Sequence, residues 1–228
     1  MMKEKVLNSK IQDIMFKETF FTMLLDQLSC IGAGFIDGLM VSNFLGAEAV
    51  AVMGIVAVFY SIQGMFSGLL SVGIRKICIG CLGEGDKEKA DQIFNTVFFA
   101  ALVISFALMG ILIAFAGPVA SFMGAKGNAE HLKPMAIEYL RGLAIGVPAT
   151  IFNSVLRPIS QVEGKKYNVN VALAAVGIGD VVLDYVSVLL HMGIFGMGLA
   201  TSLAEYIGFF IVSSFVDLIT ISIARLTP

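Results

Sequence analysis

Residues 30–46 read CIGAGFIDGLMVSNFLG. This apolar run, interrupted near its middle by the single carboxylate of Asp37, decides the fold class. A bare carboxylate in hydrocarbon costs several kcal/mol, about 2.5–3.5 on insertion scales. It is retained where it faces a wet cavity, finds partners or takes up a proton. A later apolar run holds two more acids, Asp180 and Asp184, four residues apart and therefore on one helix face. The pattern points to a helical membrane protein whose acids respond to an ion.

Composition agrees with that reading. Of 228 residues, 57% are hydrophobic and only 14% are charged, whereas a soluble domain carries about 25% charge. The charges are segregated between apolar runs long enough to cross a bilayer, the signature of a polytopic helical protein. A net charge of −2 gives no reason to expect nucleic acid as a partner. The polar, mixed-charge N-terminus, MMKEKVLNSKIQDIMFKE, has neither the apolar core nor the cleavage site of a secretory signal. Cys30, Cys78 and Cys81 make no disulfide framework; the lone C-x-x-C at 78–81 reads as small membrane-helix residues.

Hydropathy and turn residues divide the chain into a cytoplasmic segment 1–17, a six-span lobe 18–220 and a cytoplasmic tail 221–228. The predicted spans are 18–44, 49–74, 92–116, 134–156, 169–190 and 197–220. Glycines 54, 64, 68 and 73 in the second span predict close helix approach. Pro148 predicts a kink within the fourth. The stretches 83–91, 119–133, 157–168 and 191–196 read as connections. Six spans place both termini on one side. That side collects twelve of the fifteen Lys and Arg residues, leaving Lys126, Lys133 and Arg141 opposite. The bias predicts cytoplasmic termini for a multi-pass protein of the cell membrane.

Several stretches resemble the MATE (multidrug and toxin extrusion) family. FIDGLMVSNFLGAEAVAVMGI (35–55) is similar to its first-helix signature, an Asp followed by L-G-x-E-A. IGCLGEGDKEKADQIF (79–94) resembles the loop after the second helix. FMGAKGNAEHLKPMAIEYLRGLAIGVP (122–148) and NSVLRPISQVEGKKYN (153–168) resemble the entry to and exit from the fourth. LDYVSVLLHMGIFGMGLATSLAEYIG (183–208) resembles the fifth-to-sixth segment. The resemblance implies an all-α fold of two six-helix lobes, of which this chain holds the N-terminal one. It departs from the family's early first-helix proline, where this chain reads FFTMLLD around Thr22.

By the same resemblance, Asp37 and Asp184 match family acids that couple to H⁺ or Na⁺. Asp180 stands where the family often has Asn. Asn153 and Thr201 match polar cavity positions. From the residues themselves, Asp180 and Asp184 on one face disfavour simultaneous ionisation and would titrate as a unit. One shared proton, or a Na⁺ held with oxygens of Asn153 and Thr201, relieves the repulsion. Each has a plainer reading as a polar contact between helices. Asp26 and Glu205 are further acids within predicted spans, while His131 and His191 lie at connections and suggest no metal site.

The function implied is export of organic cations or other amphipathic drugs in exchange for H⁺ or Na⁺, with the bilayer and a second lobe as partners. No other cofactor is expected. The chain has no G-x-x-x-x-G-K-[ST] for ATP and no H-E-x-x-H, so an enzyme is not expected. Two alternatives are a flippase for lipid-linked substrates, which calls for a more cationic interior, and a non-transporting half-lobe.

Overall fold

The computed structural model describes residues 16–17, 20–21, 24, 27–28, 31–78, 80–81, 87–162 and 166–215. Asp26, Cys30, the segment 1–15, residues 83–86 of the loop 83–91 and the tail 221–228 lie outside them, while 87–91 already belong to a helix. Every regular element among the described residues is helical.

Helix α1 covers Ile31–Phe44. It ends because Gly46 takes φ 88°, a conformation open to glycine, which lets the amides of Leu45 and Gly46 both donate to the Val41 carbonyl. Helix α2, Ala47–Gly73, starts directly afterwards and runs into a π-helical turn at Ile74–Cys78. Arg75 in that turn donates from Nη2 to Gln161 Oε1 at 2.8 Å. Then follow α3 (Lys87–Ala114), α4 (Ala116–Met123), a 3₁₀ turn (Gly127–Leu132), α5 (Lys133–Ala144), α6 (Val147–Val162), α7 (Lys166–Leu189) and α8 (Gly193–Phe215).

Four segments are long and apolar enough to cross a membrane singly: Ala47–Ile77, Gln92–Ala114, Tyr167–Leu189 and Gly193–Ser214. The predicted fourth span is instead a broken pair, Gly127–Ala144 and Val147–Gln161, bent by 43°. Pro148 does not kink a continuous helix; it sits in the first turn of α6, where its missing N–H costs nothing. The break falls at 145–146. Helix α8 covers the carbonyls there. Ser202 Oγ lies 2.7 Å from the Gly142 carbonyl and 3.3 Å from that of Leu143, and Tyr206 Oη donates to the Ile145 carbonyl at 3.0 Å. A helix can break at membrane depth when its freed polar groups find such partners.

Two stretches expected to be connections are mainly helical. Residues 119–133 hold part of α4 and the 3₁₀ turn. Residues 157–162 extend α6 past Pro158, which sits inside the helix. The polar side chains that looked like a loop face partners within the bundle: Gln161 accepts a hydrogen bond from Arg75, and Arg157 lies beside Glu205 in an ion pair at 3.6 Å.

The close approach lies elsewhere than the second-span glycines suggested. A Cβ built on Gly54, Gly64, Gly68 or Gly73 would meet nothing within 4 Å. The tight crossing is α5 against α8. There a Cβ on Gly142 would stand 2.5 Å from the Phe195 carbonyl oxygen, and one on Gly198 would stand 2.8 Å from that of Tyr139. Gly146 and Ser202 repeat the contact one turn on. This is a reciprocal small-x-x-x-small seam, which brings membrane helices together by backbone packing.

Helix α8 is consequently the hub, packed on α5, α6 and α7, with α2 and α3 resting on α6. Val41, Val56, Leu140, Val147, Ile151 and Val155 are fully buried in the main core. Phe98, Phe152 and Phe209 form a ladder from α3 through α6 to α8, with ring centroids 5.1 and 5.9 Å apart. Large apolar side chains such as Phe99, Phe106, Ile178 and Phe210 stay exposed, as they do on a surface facing hydrocarbon.

Candidate functional site

The hub arrangement places polar groups from six helices in one region. Asp180 and Asp184 lie mid-helix on α7, 5% and 1% exposed, not on a wet turn. The carboxyl of Asp184 comes within hydrogen-bonding reach of the carboxyl of Asp37 on α1. As carboxylates the two are acceptors only, and Asp37 Oδ1, Asp184 Oδ1 and Asp184 Oδ2 are buried with no hydrogen-bond partner among the described residues. Two unit charges about 4 Å apart repel by roughly 4 kcal/mol at an effective dielectric near 20. A proton or a bound cation between them removes that repulsion.

Asp180 is served from the neighbouring helix. The Thr201 hydroxyl on α8 reaches it, and the same hydroxyl lies 3.3 Å from the Met197 carbonyl. With one proton to give, Thr201 can serve one acceptor at a time. Asp180 Oδ1 keeps no partner.

Asn153 on α6 is 1% exposed and turns toward Glu205 rather than toward the three aspartates. Its Nδ2 donates to Glu205 Oε2 at 2.8 Å and to the Glu205 carbonyl at 3.0 Å. Arg157, one turn along α6, sets Nη2 3.6 Å from the same Glu205 oxygen. Glu205 is in turn close enough to Asp180 to act on it electrostatically. The structure therefore joins Asp37 to Asp184, Thr201 to Asp180, and Asn153 to a second polar group on α6 and α8. Among the described residues no three His, Cys, Asp or Glu side chains converge as a metal site. A Na⁺ here would need neutral oxygens such as those of Thr201 beside one or two carboxylates.

Sequence reasoning passed over two tyrosines. Tyr60 on α2 and Tyr139 on α5 bring their hydroxyls to 3.4 Å, near Asp37 and Asp180, with Asp184 also near Tyr139. Tyr139 is 2% exposed. A buried tyrosine hydroxyl needs a partner, and that was the available signal. Arg157 was missed because it was read as part of a loop.

The MatE family model matches residues 22–186, a range that contains the carboxyl pair and Asp180. The chain belongs to the MATE family. It is 25% identical over 159 residues to a probable multidrug resistance protein NorM of Streptococcus pneumoniae, covering 70% of this chain and 34% of that one. It is 27% identical over 191 residues to a probable NorM of Bradyrhizobium diazoefficiens, covering 80% and 39%. Among solved structures it resembles the inward-facing conformation of a multidrug resistance MATE transporter of the MOP superfamily, with TM-score 0.72 and 28% identity over 82% of this chain and 42% of that one. This MATE chain thus spans less than half the length of the relatives it matches. It is a multi-pass membrane protein of a transporter family, not an enzyme.

Proposed function

We propose that this chain is the N-terminal lobe of a secondary antiporter that exports organic cations or other amphipathic compounds in exchange for H⁺ or Na⁺. The observation that carries the reading is the Asp37–Asp184 pair, two carboxyls from different helices in reach of each other, with Asp37 Oδ1 and both Asp184 oxygens buried and unpartnered among the described residues. Charging both at once is unfavourable, so the pair holds a proton or a cation. When an organic cation arrives, its positive charge can replace that ion, and the released ion moves down its gradient. A ligand that binds two conformations unequally shifts their populations. Asp180, with Thr201 beside it, extends the acidic surface across α7 and α8.

The domain reading is a six-span lobe over 18–220, flanked by cytoplasmic segments 1–17 and 221–228. Alternating access rests on two halves rocking against each other, so a second lobe completes the transporter. The flippase alternative needs cationic groups for phosphates. Inside this bundle the acids Asp37, Asp180, Asp184 and Glu205 outnumber Arg157, which Glu205 faces, and this favours cationic substrates.

The test is ethidium efflux from cells without their own pumps, with membrane expression matched between variants. The chain, supplied with a second MATE lobe, should export the dye in a gradient-dependent way. Asp37→Asn and Asp184→Asn should each abolish that dependence. Efflux that survives both substitutions and collapse of the gradient would defeat the proposal.

A further inference from the structure

The polar group between α6 and α8 is not used by the carboxyl pair. Asn153 of α6 has two amide hydrogens to give and one carbonyl oxygen that accepts. Both hydrogens go to one residue of α8: Nδ2 donates to Glu205 Oε2 at 2.8 Å and to the Glu205 carbonyl at 3.0 Å. Turning the amide over would set Oδ1 against those same two oxygens, acceptor against acceptor. Glu205 therefore imposes the orientation, with side chain and backbone together. What remains is Oδ1, on a side chain 1% exposed, buried and without a partner among the described residues. A buried acceptor left open is costly to keep, and packing alone does not call for it.

The surroundings fit such a clamp. Arg157, one turn along α6, places Nη2 3.6 Å from the Oε2 that holds Asn153. That distance is beyond a hydrogen bond, so Arg157 offsets the charge of Glu205 without taking the oxygen from the amide. Gly208, three residues after Glu205, leaves room for the polar heads: a Cβ there would stand 3.6 Å from both Asn153 Nδ2 and Arg157 Nη2. In the other direction Thr201 lies four residues before Glu205, on the same face of α8, and its hydroxyl reaches Asp180. The clamp adjoins the acidic surface.

We propose that Glu205 is a positioning residue for cation binding: by holding both amide hydrogens of Asn153, it leaves the carbonyl oxygen Oδ1 as the group Asn153 offers to a cation in the cavity. The inference rests on the cation-binding reading above and adds to it a residue that touches no cation itself. An unclamped asparagine offers a donor as readily as an acceptor. The clamped one offers a neutral oxygen only, which suits a positive occupant and repels an anion.

The experiment measures ethidium affinity of the full chain in nanodiscs, first without Na⁺ and then as Na⁺ displaces the dye. Asn153→Leu removes the oxygen and should weaken binding of the dye or of Na⁺ about twofold to tenfold, the range for one hydrogen bond. Glu205→Leu, which frees the amide, should cost a similar factor. Glu205→Gln keeps an acceptor oxygen for Nδ2 and should recover most of that loss, which a role for the Glu205 charge itself would not allow. In the Asn153→Leu background, Glu205→Leu should add nothing, because positioning acts only through the amide it positions. Equal losses in Glu205→Gln and Glu205→Leu, a full extra loss in the double variant, or unchanged affinity for both cations in Asn153→Leu overturns the inference. If Glu205→Leu does not fold because Arg157 is left unpaired, Glu205→Gln decides alone: near-parental affinity supports the clamp, and a loss as large as that of Asn153→Leu overturns it. The two readings fail separately. Ethidium binding that ignores Asp184→Asn defeats the cation site, whereas binding that needs Asp184 but ignores Asn153→Leu and Glu205→Leu defeats only the clamp.

Discussion

Asp37 on α1 and Asp184 on α7, 147 positions apart in the chain, bring their carboxyls into hydrogen-bonding reach, with three of the four oxygens buried and unpartnered among the described residues. This contact ties the first helix of the lobe to the fifth predicted span. Whatever sits between the two carboxyls therefore bears on how those helices meet. On the antiport reading proposed above, proton or cation occupancy and helix position form one equilibrium.

Replacing either acid by its amide should separate folding from coupling. In Asp37→Asn the carboxamide can donate to Asp184, so the repulsion disappears without an ion. The variant should insert and fold at least as well as the parent. Its affinity for an organic cation should fall by about tenfold or more, a loss near 1.4 kcal/mol, and should no longer depend on pH or Na⁺. Dye titration of the purified variant checks this, with thermal unfolding as the folding control.

The α5–α8 seam makes an opposed pair of glycine predictions. Gly198→Leu and Gly142→Val push side chains into backbone at the crossing. Each should cost about 1–3 kcal/mol or more through overpacking, read as a lower unfolding midpoint. Gly54→Ala and Gly64→Ala meet open space and should leave stability unchanged or raise it by up to about 1 kcal/mol through helix propensity.

At the 145–146 break, Ser202→Ala and Tyr206→Phe each remove a hydroxyl from an otherwise freed carbonyl. Each should cost about 1 kcal/mol. Hydrogen exchange should rise at residues 145–150 and stay unchanged in α3. Equal acceleration across the whole chain would mean that α8 does not specifically brace the break.

Much of the fold was legible because membrane helices announce themselves by length and apolar content. Segments α2, α3, α7 and α8 fall within a few residues of the predicted spans. What misled was local polarity. Arg157 and Gln161 looked like loop residues because the sequence does not show that Glu205 and Arg75 wait on other helices. The glycines of α2 looked like packing positions because spacing alone does not say which face meets a neighbour, whereas Gly142 and Gly198 are defined only by each other. At the site, the single acids in apolar runs were visible at once. That Asp37 would meet Asp184, and that Asn153 would turn to Glu205, depends on tertiary placement.

Prolines divide in the same way. Pro148 was read as a kink and marks the start of α6 beside a true break; Pro158 was read as loop and lies within the helix. In hydrocarbon a proline's meaning is set by the neighbours that satisfy the freed carbonyl, and the sequence does not display those neighbours.

The most direct test of the central claim is equilibrium binding of ethidium to the chain in nanodiscs, titrated against both pH and Na⁺, with Asp184→Asn alongside. The account expects bound dye to be displaced as protons or Na⁺ are added, and expects that displacement to vanish in the variant. Dye binding that is the same at every pH and Na⁺ concentration, or a displacement that persists in Asp184→Asn, would contradict it.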